Sequence, residues 1–175
     1  LSRSEAESAA IWKGRKSAFG AVGRIADYIC MDGTIPTGKL PEVLAGISRI
    51  CDSYGLAVAN IFHAGDGNLH PNISFDGRDP EQRQRVLAAG EEILRLCVAA
   101  GGTLSGEHGI GAEKRHLMPV VFDDIDLEIM QRVHDVFAAH GIELHFDTGD
   151  LYDLAPGLDP AYFDLGGGNE TPFAC

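Results

Sequence analysis

A chain of 175 residues with 45% hydrophobic residues is long enough to bury a core and fits one ordinary globular domain. Its 14 Lys and Arg stand against 26 Asp and Glu, a formal net charge of -12 that repels phosphate backbones and anionic membranes, so nucleic-acid binding is excluded as an expectation. No apolar run is long enough to span a bilayer and no signal-peptide layout opens the sequence, which predicts a soluble, cytoplasmic protein.

In chain order, Glu5 to about Ile25 reads as a helix weakened towards its end by Gly14, Gly20 and Gly23, followed by a short strand from Asp27 to Asp32. Pro41 opens a second helix whose apolar positions Leu40, Leu44, Ile47, Cys51 and Tyr54 keep helical spacing until Gly55 stops it. Leu56 to Phe62 and Leu69 to Phe75 are paired strand candidates. A helix from Asp79-Pro80 turns Val86, Ile93, Leu94 and Cys97 inward and ends at Gly101-Gly102. A short helix at Lys114 follows, then one opened by Asp123-Asp124 with Leu127, Met130, Val133 and Phe137 expected inward. The pattern is α+β, an antiparallel sheet covered by helices. Beyond Gly141 periodicity fades, so residues 1–140 are expected to form the domain and 141–175 a divergent, poorly ordered tail. The four cysteines are scattered without a disulfide framework, and Cys51 and Cys97 read as small buried hydrophobes.

Two segments carry chemistry. In His63-Ala64-Gly65-Asp66-Gly67-Asn68-Leu69-His70, Asp-Gly between apolar runs predicts a two-residue hairpin turn, which would set His63 directly opposite His70, close enough to share a metal ion. In Gly102-Thr103-Leu104-Ser105-Gly106-Glu107-His108-Gly109-Ile110-Gly111, glycines permit close approach and positive φ, letting Glu107 and His108 converge on one place. Two histidines and a glutamate leave a coordination position open, as catalytic divalent sites do. Asn68 either contacts substrate or completes the turn. His116, His134, His140 and His145 are expected at the surface.

With Ile11-Trp12-Lys13-Gly14-Arg15-Lys16 and Asp32-Gly33-Thr34-Ile35-Pro36, these segments resemble the C-terminal (cap) domain of the FAD-linked oxidases, the group of glycolate oxidase, D-lactate dehydrogenase and D-2-hydroxyglutarate dehydrogenase. The resemblance runs to about Phe137. It implies a flavin-dependent 2-hydroxyacid oxidase or dehydrogenase in which His63, His70 and Glu107 hold a divalent metal, zinc before manganese or iron. It also implies that His108 takes the substrate hydroxyl proton while hydride passes to FAD, and that Arg15, Asn68 and Lys114 bind substrate. FAD would be held by a flavin-binding domain or a partner polypeptide, since this sequence carries no dinucleotide fingerprint, and the cap would be truncated at its N-terminal side, leaving an edge or an apolar face exposed. Thr37-Gly38-Lys39 and the stretch after Phe137 depart from the family pattern. Two rival readings are a self-contained divalent-metal hydrolase and a non-catalytic metal-binding remnant.

Overall fold

The computed structural model describes residues 2–141, so the expected tail, including Cys175 and His145, lies outside the described residues apart from Gly141. Helix α1 (Glu5–Lys16) starts on Ser4, whose hydroxyl accepts from the Glu7 amide, and breaks at Ser17, whose hydroxyl turns back to the Lys13 carbonyl at 2.8 Å. The single helix expected up to Ile25 is therefore two pieces. The second, α2 (Ala18–Val22), is five residues long and buries Phe19. Two short strands follow, β1 (Asp27–Cys30) and β2 (Gly33–Thr34), and a 3-10 turn at Thr37–Lys39 leads into α3 (Leu40–Ser53). Helix α3 has Pro41 in its first turn and is followed, after its cap Tyr54, by Gly55, where φ is +65°.

Strands β3 (Ala57–His63) and β4 (Asn68–Phe75) form the central hairpin. β4 is the middle strand of an antiparallel four-stranded sheet: β3 runs along one side, while β1 and β2 line the other end to end. The register differs from the expected one. His63 lies opposite Asn68 and Ile61 opposite His70, so the connection is a four-residue loop, Ala64 to Gly67, rather than a two-residue turn. Tertiary contact overrides the local signal. Gly67, at φ +78°, accepts a hydrogen bond from the Ile35 amide, and a Cβ there would lie 2.0 Å from the Ile35 carbonyl oxygen. The slip is two residues, an even number, so His63 and His70 keep the same face and become diagonal neighbours.

Helix α4 (Pro80–Ala99) is capped by Asp79, whose carboxylate accepts from the Glu81 and Gln82 amides. With α3 it covers one face of the sheet, and the core lies between: Val43, Ile47 and Cys51 from α3, Val86, Ile93, Leu94 and Cys97 from α4, Leu69 and Ile73 from β4. Cys51 and Cys97 are fully buried, as expected. Alternation along β4 turns His70 and Asn72 to the opposite face, although both are buried as completely as the core. After α4, Gly102 lets the chain pass against β2, where Thr34 and Thr103 exchange both backbone hydrogen bonds at 3.1 Å. A Cβ at Gly102 would sit 1.7 Å from the Thr34 carbonyl oxygen, a backbone atom with no room to yield. Gly102→Ala should therefore cost about 1 to 3 kcal/mol, as overpacking does. Thermal unfolding reads this directly, and an unchanged melting temperature would show that the strand end yields.

Helix α5 (Gly111–Lys114), a 3-10 turn (Arg115–Val120) and α6 (Asp124–Ala139) complete the described chain. Asp123 and Asp126 form a reciprocal capping box at the start of α6. The inward face expected for α6 is not buried: Met130 is 39%, Val133 45% and Phe137 40% exposed, and Leu127 is half-buried. The apolar periodicity is real, but no described residue of α6 is buried.

Candidate functional site

The sheet face opposite the core carries the chemistry. His70, on the middle strand, is fully buried, with Phe19 of α2 edge-on to its ring at a centroid distance of 5.9 Å. The His63 ring meets it at 5.3 Å, nearly perpendicular, and the His108 ring stacks on it at 5.1 Å with 16° between planes. Glu107 Oε1 lies 2.9 Å from His70 Nε2 and 3.8 Å from His63 Nε2. The closer approach does not meet hydrogen-bond geometry, so neither ring nitrogen of His70 has a hydrogen-bond partner. A buried imidazole left this way normally serves something else. Burial, and then the neighbouring His108, push its pKa down against the opposing pull of Glu107 and Asp32, which keeps a neutral ring with an available lone pair. Donor atoms of His63, His70 and Glu107 all lie within 4.8 Å of one another, His70 at the base and the other two about half exposed.

Glu107 and His108 reach this place because Asp32, just after β1, holds their loop. Its fully buried carboxylate accepts from the Ser105 hydroxyl at 2.6 Å and from the backbone amides of Gly106, Glu107 and His108 at 3.0, 3.1 and 2.8 Å. Lys114 Nζ stands 3.5 Å from the same oxygen. Burial alone would raise the Asp32 pKa, but the Ser105 and His108 hydrogen bonds, the Lys114 charge and the Glu107 amide outweigh it and hold the carboxyl at about 2. Lys114 is itself buried, and burial lowers its pKa despite the Asp32 charge. The ammonium of Lys114, a residue expected to bind substrate, faces Asp32. The sequence placed Asp32 in a motif but gave it no role. The signal was an acidic residue at the end of an apolar strand, where a buried charge requires partners.

The glycines of the loop divide the work. Gly106 has no unusual φ but lies so close to Asn68 that a Cβ would be 2.5 Å from its Oδ1, whereas Gly109 has φ +84° and Gly111 +54°. The Asn68 side chain does not close the turn; that falls to Asp66, which accepts from the Asn68 amide at 3.4 Å, and Asn68 Oδ1 is buried with no hydrogen-bond partner. Arg15 is half-buried near the end of α1, four residues before Phe19, and forms no hydrogen bond or ion pair with the histidines. His116, His134 and His140 are at or near the surface, as expected.

No helix among the described residues is long and apolar enough to cross a membrane. The chain is 50% identical over 143 residues to the glycolate oxidase subunit GlcD of Escherichia coli K12, covering 81% of this chain and 29% of that protein. It is 30% identical over 141 residues to the GlcD subunit of Bacillus subtilis, covering 80% and 30% respectively. To the probable mitochondrial D-lactate dehydrogenase of Danio rerio it is 31% identical over 124 residues, 69% of this chain and 25% of that one. The chain thus spans less than a third of the length of these curated relatives. The family described as FAD linked oxidases, C-terminal domain, matches residues 1–142, which takes in every strand and helix described above and both segments that meet at His70, and the chain belongs to that family.

Proposed function

We propose that this domain is the substrate-facing part of a flavin-dependent 2-hydroxyacid oxidase or dehydrogenase of the glycolate or D-lactate type. The observation that carries the reading is His70, a buried neutral imidazole with neither nitrogen hydrogen-bonded, lying against Glu107 and His63 with His108 stacked upon it. Two imidazoles and a carboxylate fit a divalent ion of the zinc type, and His63, His70 and Glu107 would hold it. Such an ion, when bound, supplies Lewis acidity towards the hydroxyl and carboxylate oxygens of a 2-hydroxyacid. FAD, on a flavin-binding domain of the same or a partner polypeptide, supplies the acceptor for the hydride that leaves the α-carbon.

The work of this chain's residues is binding, orientation and proton removal. An imidazole nitrogen of His108 takes the substrate hydroxyl proton, and Asp32 fixes that ring by binding its backbone amide. The Asn68 amide, buried and unmatched at Oδ1, contacts substrate beside Gly106. Arg15 offers a planar two-donor fork for the substrate carboxylate. Lys114 acts on the loop through Asp32 rather than on substrate.

The test joins this domain to the flavin domain of its 50%-identical relative and follows flavin bleaching without oxygen as glycolate or D-lactate is added. Reduction of the flavin, together with one equivalent of divalent metal by elemental analysis, is the expected result. Metal without any flavin reduction would overturn the oxidase reading; ester hydrolysis by the chain alone would favour a hydrolase instead.

A further inference from the structure

A second set of donors shares His70. Cys30 Sγ, a ring nitrogen of His70 and a ring nitrogen of His108 lie within 4.8 Å of one another. The sheet explains the meeting: Cys30 pairs with Asn72 in the β1–β4 register, so it projects to the same face as Asn72 and His70, one diagonal step from the imidazole. The stacked ring of His108 closes the triad from the opposite segment. His70 provides the independent observation, since it is fully buried and neither of its nitrogens has a hydrogen-bond partner. The remaining thiols differ. Cys51 and Cys97 are fully buried in the core between the helices and the sheet, with burial pushing the Cys97 thiol up to about 11.

The two triads differ in softness. His63, His70 and Glu107 offer two nitrogens and an oxygen, whereas Cys30, His70 and His108 offer a sulfur and two nitrogens, the donor type that thiophilic ions select. We propose that Cys30, His70 and His108 form a second binding site, overlapping the first at His70, for a soft divalent cation such as Zn2+ or Cd2+. Binding there replaces the thiol proton, which goes to solvent, with a metal–sulfur bond. An ion so placed occupies the ring of His108 and removes it from proton transfer, making the site inhibitory; that consequence alone rests on the function proposed above, while the binding does not.

The experiment titrates the purified 175-residue chain with Cd2+, without flavin or substrate, and follows the ultraviolet thiolate-to-cadmium charge-transfer band. All variants carry Cys175→Ser, so that Cys30 is the only cysteine outside the buried pair. The band should saturate at one equivalent and vanish in Cys30→Ser. In His108→Asn the affinity should fall at least as far as the about 10 to 100-fold that loss of an outer-shell partner costs. It should persist in His63→Ala, which disables the other triad but not this one. Circular dichroism of each variant confirms the fold, and His108→Asn, altered at an exposed position, tests the site independently should Cys30→Ser fail to fold. Absence of a band in the parent, its survival in Cys30→Ser, or its loss in His63→Ala would each overturn the proposal.

Discussion

His108→Asn should leave in place the ion held by His63, His70 and Glu107 in the flavin-joined enzyme while lowering turnover by about 10² to 10⁴-fold, the range for a positioned proton acceptor. Glu107→Gln should behave oppositely. It removes the carboxylate 2.9 Å from His70 Nε2, so metal content and activity should fall together. The two residues are adjacent in sequence and both lie at the exposed mouth of the site, so a general disturbance of the loop would affect both quantities in both variants. Measuring metal and 2-hydroxyacid oxidation on the same samples separates the roles. If His108→Asn strips the metal as thoroughly as Glu107→Gln, His108 is a ligand of the catalytic ion and the assignment is wrong.

Asp32→Ala should be strongly destabilising, by about 3 to 5 kcal/mol, the usual consequence of leaving a buried ionic partner uncompensated. It strands the buried Lys114 ammonium and three backbone amides at once. Replacing Lys114 as well, by Met, should restore part of the loss because the stranded charge is then gone. Urea unfolding of the two single variants and the double variant measures that coupling, and strict additivity would mean that the pair does not act as a unit. A pH dependence follows. The folded-state pKa of Asp32 is about 2 against an ordinary 3.8, so its contribution is fully present above 3.8 and is lost as pH falls from there through about 2. That shift corresponds to about 2 kcal/mol. The acid limb of the stability profile of Asp32→Asn should be correspondingly shallower than that of the parent over this range.

The fold class, the β3–β4 hairpin, the two core helices and the stop at Gly55 were legible because each rests on local periodicity or on a cap: Ile47 and Cys51 repeat at helical spacing, and Asp79-Pro80 is a helix start in itself. What escaped depends on contacts distant in sequence. The hairpin register was set by Gly67 docking on Ile35, 32 residues earlier, by the difference of the two residue numbers. The two-residue strand β2 exists only because β4 and Thr103 flank it. Of the candidate site, His63, His70 and Glu107 could be named from residue type and neighbouring glycines, and their donor atoms do converge. Lys114 could not be placed without knowing that Asp32 lies beneath the loop. On α6, periodicity revealed an apolar face but not whether anything lies against it.

The hydrogen bonds of Asp32 to Ser105 and His108 join residues 73 and 76 positions apart. Closing a flexible loop of that length costs about 4 kcal/mol of chain entropy, growing only logarithmically with length. Folding of the sheet and helices meets that cost before any ligand arrives, since the clamp is made of the protein's own groups. The loop bearing Glu107 and His108 therefore need not be ordered at the moment of binding, and affinity for an ion or a substrate is not reduced by the work of assembling the place that receives it.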